Sequence, residues 1–110
     1  MSKLNSVIFI DNLPRLDLHG FDRDTARLYI NDFIKENQKL KNEFVLIIHG
    51  IGSGIIKDET IKTLGKNKDV VDYKIYPFNV GCTLVQIDLT NINKVFELYH
   101  TKLFFEIVSE

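Results

Sequence analysis

Cysteine is nearly missing from this sequence, with a single thiol at Cys82 in 110 residues. One thiol cannot close an internal disulfide, so the chain reads as a protein of a reducing, cytoplasmic setting. Long apolar runs are missing too. None nears the roughly 18–20 residues that a membrane span needs. The N-terminal stretch MSKLNSVIFIDNLP holds only a four-residue apolar patch, residues 7–10, too short for a signal peptide. An excess of either charge is also absent: 14 basic residues face 15 acidic ones, for a formal net charge of -1. That argues against a strongly basic coat for nucleic acid but leaves room for a local phosphate site. There is no low-complexity segment, no internal repeat and no zinc-finger spacing.

What is present suits one domain. At 45% hydrophobic, a chain of this length can bury a single core between two layers of secondary structure. Residues 7–10 form an edge strand or a strap packed on the domain. Pro14 breaks the chain, and residues 16–19 read as a short strand. Asp22 caps a helix that runs to about Leu40, with Ala26, Tyr29, Ile30, Phe33, Ile34 and Leu40 recurring at helical spacing. Arg27, Asn31, Lys35, Glu36 and Lys39 form its solvated face. Residues 44–48 are a continuous apolar run, which suits a strand buried on both faces. A glycine-rich loop follows at 50–54, then a helix over about 55–64 closed by Gly65. Val71, Tyr73 and Ile75 alternate with polar neighbours, a strand with one wet face. Residues 77–80 turn the chain. Thr83, Val85, Ile87 and Leu89 mark a last strand, and Asn91 caps a final helix with Ile92, Val95, Phe96 and Tyr99 on one face.

Two of these strands end in His-Gly: RLDLHG, with Asp17, His19 and Gly20, and FVLIIHG, with His49 and Gly50. A strand–helix–strand unit is normally a right-handed crossover between parallel strands, so both histidines leave the sheet at one edge. The carboxyl edge of such strands is where open α/β sheets bind ligands. Asp17 lies two residues before His19 and shares its strand face if the strand is regular. Glycine after a strand is common turn chemistry, and a lone histidine at a strand end is usually only exposed; it is the pairing that points to a cleft. In HGIGSGIIK, Gly50, Gly52 and Gly54 precede a helix, so free amides and the positive helix end face an anion. Ser53 adds a hydroxyl and Lys57 a charge. A phosphate is the natural guest. The loop is neither a P-loop nor a dinucleotide fingerprint, since Ile55 stands where a third glycine belongs. Cys82 reads as a small core residue, and His100 as surface or packing. Lysines 57, 62, 66 and 68 form a basic flank or a solvated helix face.

At these residues the sequence resembles the Smr (small MutS-related) domain family. The likeness rests on LDLHG at 16–20 and HGIGSG at 49–54, with Ala26 near the start of the intervening helix, and it covers about residues 16–89. Two departures stand out. Ile51 occupies a position where members often carry a basic residue, and a later GGxGAT-like segment is matched only in part by residues 78–83. The resemblance implies an α/β two-layer sandwich like the C-terminal domain of bacterial translation initiation factor three. Here that becomes a βαβαββ order with a mixed four-stranded sheet and an extra C-terminal helix. The chain then divides into an N-terminal extension or edge strand over 1–14, the Smr-like domain over 15–90, and a helix over 91–110, read from its own apolar spacing, that packs on the domain or on a partner.

The family also implies nucleic-acid binding, endonuclease activity on DNA or RNA in many members, and partners that include the ribosome. The expected chemistry is phosphodiester cleavage with Asp17, His19 and His49 around the scissile phosphate. One histidine takes a proton and another returns it. The amides of Gly50, Gly52, Ser53 and Gly54, with Lys57, hold the phosphoryl oxygens. Asp17 either orients a histidine or binds Mg2+ or Mn2+; one aspartate does not commit the site to a metal. The alternatives are a non-catalytic nucleic-acid or ribosome-binding module that uses the glycine loop as a phosphate clamp, and a small-nucleotide binder. Neither DNA over RNA nor an oligomeric state follows from the residues.

Overall fold

The structure is a computed structural model and describes residues 2–7 and 9–90. The expected C-terminal helix, its Asn91 cap and His100 lie outside the described residues. Four strands, β1 (Arg15–Asp17), β2 (Phe44–Ile48), β3 (Val70–Ile75) and β4 (Cys82–Ile87), and two helices, α1 (Arg23–Lys39) and α2 (Ile55–Lys66), follow the βαβαββ order. The sheet order is β1-β2-β4-β3. β1 and β2 are parallel, and β4 runs antiparallel to both β2 and β3. The sheet is therefore mixed and four-stranded, as expected.

α1 starts where Asp22 stops the chain: its carboxylate accepts the Thr25 amide at 2.8 Å, which satisfies one of the unpaired donors of the first turn. Ala26, Ile30 and Ile34 are fully buried, one turn apart, and pack on the sheet with Val45, Ile47, Leu64, Val85 and Ile87. Two residues of the expected apolar stripe are on the outside. Leu40 is the C-cap and 64% exposed, and Tyr29 is half exposed with its ring edge-on to Phe21. Asn37 and Gln38 are buried in their place, because each side-chain amide finds polar partners where α1 ends. The Gln38 amide donates to the Asp88 carbonyl at 2.8 Å and Asn37 to Phe33 at 2.9 Å.

β4 departs from an alternating strand with a polar face. All six of its residues are buried, since it lies between β2 and β3 and both faces of the sheet are covered. Helices cover one face. Residues before β1 cover the other: Leu4, in a single 3-10 turn Leu4–Ser6, is buried with Leu46, Cys82 and Leu84, and Val7, Ile10 and Leu13 pack against them. No strand forms there among the described residues. Gln86 is 3% exposed and satisfied from this side, accepting from the Lys3 amide at 2.7 Å and donating to Glu43 at 2.9 Å.

Gly65 sits inside α2, whose last residue is Lys66, and does not close it. A Cβ at Gly65 would lie 3.1 Å from the Tyr73 hydroxyl, so the glycine makes room for β3 rather than ending a helix. In β3 a register shift between Val70 and Asp72 breaks the alternation. It leaves Val71 exposed while Val70 and Tyr73 pack on the core. A bulge in this position also blunts a sheet edge.

Candidate functional site

β1 and β2 run side by side, with Asp17 opposite Ile48, so their carboxyl ends leave the sheet at one edge. β1 is shorter than expected and ends at Asp17. The Leu18 amide still reaches the Ile48 carbonyl at 2.9 Å, but the Leu18 side chain turns into the core. The Asp17 carboxylate then accepts the His19 backbone amide at 2.9 Å, and Gly20 takes φ +80°. Asp17 thus shapes the His19 turn through the backbone; it does not bond the imidazole.

Asp17, His19, His49 and Gly50, with Ile48, line one shallow cleft of about 220 Å3. Two imidazoles and a carboxylate converge there. The environments of the two imidazoles differ. His19 is exposed, and its ring has no hydrogen-bond partner among the described residues. His49 is held at both nitrogens. Nδ1 lies 2.9 Å from the Gly50 carbonyl and Nε2 lies 2.8 Å from the Thr83 hydroxyl. A carbonyl only accepts, so Nδ1 carries the proton, and Nε2 accepts from Thr83. Burial pushes the His49 pKa below the usual imidazole value; the Gly50 carbonyl opposes this and the Lys57 charge adds to it. The ring is therefore neutral at pH 7.

Thr83 was legible only as one letter of an incomplete motif. Its role comes from β4, which runs antiparallel beside β2 and pairs Thr83 with Ile47. Gly81, in the same segment, contributes backbone. Its carbonyl accepts the amides of both His49 and Gly50, at 2.9 and 3.0 Å. A Cβ at Gly81 would come within 3.3 Å of Gly50, so the β3–β4 turn and the His49 loop are stitched together at a contact only glycine fits easily.

The glycine loop continues from the cleft. Gly50 and Gly54 adopt φ of +81° and +86°, which side chains avoid. Gly52 does not, and nothing lies within 4 Å of a Cβ there. The amides of Ile51, Gly52, Ser53 and Gly54 have no acceptor among the described residues, and Gly54 leads into the N-terminus of α2. Gly52, Ser53, Gly54 and Lys57 do not line the cleft itself. They follow it along the chain, with Lys57 near enough for its charge to be felt at His49. Lys62 and Lys66 stand elsewhere, in a polar groove of about 340 Å3 between α1 and α2. There Arg27 pairs with Asp24 and, at 3.7 Å, with Glu59.

Among the described residues no group of three or more His, Cys, Asp or Glu side chains gathers to hold a metal. A Mg2+ or Mn2+ ion at Asp17 would need water and phosphate oxygens for its remaining ligands. Cys82 is buried, and burial raises its thiol pKa, the opposite of an activated nucleophile. Among the described residues no helix is long and apolar enough to cross a membrane.

Comparison with known proteins bears on the family and the fold. The model of the Smr domain matches residues 16–88. Endonuclease MutS2 of Streptococcus suis (strain 05ZYH33) is 38% identical over 76 residues, which cover 64% of this chain and 10% of that protein. Endonuclease MutS2 of Streptococcus mutans is 42% identical over 69 residues, 61% of this chain and 9% of that one. The chain thus spans about a tenth of the length of these curated relatives. Among solved structures, the Smr domain of Thermus thermophilus MutS2 superposes with a TM-score of 0.66 at 23% identity, covering 68% of this chain and 98% of that domain. YdaL, a stand-alone small MutS-related protein from Escherichia coli, gives 0.59 at 24% identity, covering 66% and 63%. With the family model spanning both His-Gly motifs and the fold shared, this chain belongs to the Smr domain family.

Proposed function

We propose that this protein binds nucleic acid at the carboxyl edge of β1 and β2 and cleaves a phosphodiester bond there. The observation that carries this reading is the convergence of Asp17, His19, His49 and Gly50 on one cleft. The names of the MutS2 relatives, endonucleases, point the same way. The cytoplasm suits both such a substrate and a buried, reduced Cys82.

The hydrogen bonds divide the work. His19 has an unoccupied ring and takes the proton from the attacking hydroxyl or water, while the leaving oxygen takes a proton from a water in the open cleft as its P–O bond breaks. His49, tied at both nitrogens, is a fixed wall of the cleft that keeps the Gly50 turn in register. The free amides of residues 51–54 and the Lys57 charge stabilise the phosphoryl oxygens as charge builds on them. Asp17 holds the His19 turn and has a second carboxylate oxygen left for the cleft. A bound Mg2+ or Mn2+ would add Lewis-acid stabilisation of the same oxygens.

A non-catalytic phosphate clamp is the second reading. Two facts favour it: the His49 lone pair is already engaged, and Ile51, two residues on, is exposed and uncharged. Purified protein incubated with labelled single- and double-stranded RNA and DNA, with and without Mg2+, separates the two. A nuclease cuts, and Asp17→Ala/His19→Ala stops the cutting while binding persists. A clamp binds before and after the change and never cuts. Saturable binding of mononucleotides without any preference for longer strands would instead point to a small-nucleotide binder.

A further inference from the structure

We propose that Phe78, at the β3–β4 turn, is a stacking platform for an unpaired nucleobase next to the phosphate held at the His-Gly cleft. The inference rests on the nucleic-acid reading above and names the form of the substrate. Phe78 is 84% exposed, one of the most exposed large apolar side chains of the described residues. Yet its turn is well built. The Asn79 amide bonds the Tyr76 carbonyl at 3.2 Å, the Cys82 amide bonds Asn79 at 3.0 Å, and the Tyr76 amide bonds Cys82 at 2.9 Å. The Asn79 side chain also caps the Gly81 amide at 3.0 Å. Tyr76 meets the Phe78 ring edge-on, with centroids 5.6 Å apart and planes at 64°. The ring is thus steadied while most of its surface faces solvent.

The turn is also in the right place. Gly81, three residues on, is bonded directly to His49 and Gly50, so at most about 11 Å of chain separates Phe78 from the wall of the cleft. Val80 and Ile51 on the two stitched turns are exposed as well, at 51% and 70%. Neither turn carries a carboxylate to repel a phosphate backbone: residues 75–87 and 44–56 contain no charged side chain, and the first charge after the glycine loop is Lys57. An aromatic face flanked by apolar side chains, beside free amides and a lysine, matches the two halves of a nucleotide. Every base has a π-face, but inside a duplex that face is already covered. The occupant is therefore a nucleotide in a single strand, loop or bulge.

Fluorescence anisotropy with a short labelled single strand tests this. One arm uses the same strand with its bases removed as abasic nucleotides, and another a duplex of the same sequence. Phe78→Ala should weaken single-strand binding about five- to 150-fold, the range of one lost base stack. Phe78→Trp should restore it, and Phe78→Leu, which keeps the apolar surface without the flat ring, should not. The wild type should bind the abasic strand as weakly as Phe78→Ala binds the normal one. The slope of log affinity against log salt should stay the same in Phe78→Ala, because no phosphate contact is lost. An unchanged circular dichroism spectrum is expected at so exposed a position. Salt-dependent wild-type binding that is indifferent to Phe78→Ala, or that Phe78→Ala weakens on the duplex and the abasic strand as much as on the normal single strand, overturns the stacking platform and leaves the phosphate cleft standing. A wild type that binds none of the three nucleic acids overturns both.

Discussion

The same dipeptide, His-Gly, ends two parallel strands of one sheet, and the two copies fare differently. Their glycines share a left-handed φ, +80° at Gly20 and +81° at Gly50, with open space where a Cβ would go. Their histidines are not. His19 stands in the open at the edge strand β1, with its backbone held by Asp17 and its ring unclaimed among the described residues. His49 stands at the end of the inner strand β2, where β4 passes alongside and supplies Thr83. Position in the sheet, rather than the motif, makes one imidazole a candidate proton carrier and the other a fixed wall. A strand at the edge has one neighbour to donate partners; a strand inside has two.

The largest effect expected from this contrast is on cleavage. His19→Ala should lower the rate by about a hundred- to ten-thousandfold, the usual contribution of general acid–base catalysis, with thermal stability unchanged. His49→Gln should retain more activity than His19→Ala. Rates of strand scission measured beside melting curves decide it, and equal losses in both variants would erase the division of labour.

The glycines supply a control of the second rank. Gly20→Ala and Gly50→Ala should each cost about 1–2 kcal/mol, the penalty for a side chain in left-handed backbone. Chemical denaturation of both variants reads the difference. A cost at Gly81→Ala beyond that at Gly50→Ala would show that the close approach of the two turns, and not φ alone, governs this corner. Gly52→Val should cost little stability, since Gly52 is outside the left-handed region with open space around it. It should weaken nucleic-acid binding by covering the free amides.

Thr83→Val is smaller again. It keeps the shape and removes the hydroxyl that donates to His49, at a cost of about 1 kcal/mol. Because that bond favours the neutral ring, its loss should move the His49 pKa upward. An NMR titration of the imidazole protons in both proteins follows the shift, and no movement would mean that the Thr83 bond has no part in setting the pKa.

The smallest effect is in stability against pH. The folded His49 pKa is lowered mainly by burial. Between that value and the free imidazole value of about 6.5, the unfolded chain binds a proton that the folded chain refuses. The contribution of the neutral ring is thus fully present above about pH 6.5 and falls as the solution is acidified. His49→Gln should flatten this part of the stability curve, read by chemical denaturation at a series of pH values.

The share of all this that was legible in advance follows the range of the interactions. Asp22 as a helix cap, Ala26, Ile30 and Ile34 as a buried stripe and Phe44–Ile48 as an inner strand depend on neighbours within a turn or two, so their spacing announces them. The meeting of His19 and His49 at one edge was legible as well, because a helix between two strands leaves few ways to return to the sheet. Asn37 and Gln38 were not. Their burial depends on the Asp88 backbone in the one case and on where α1 stops in the other. The burial of all of β4 was hidden for the same kind of reason, since its second face is closed by Leu4 and its neighbours from the far end of the chain.

By itself, then, the sequence determined the elements, their order and the pair of His-Gly endings, each a matter of local periodicity, capping and turn chemistry. Only the tertiary structure decided what each histidine is. The hydroxyl that claims His49 lies 34 residues away, on a strand brought alongside by antiparallel pairing, and a hydrogen bond of that span has no signature in the spacing of either residue.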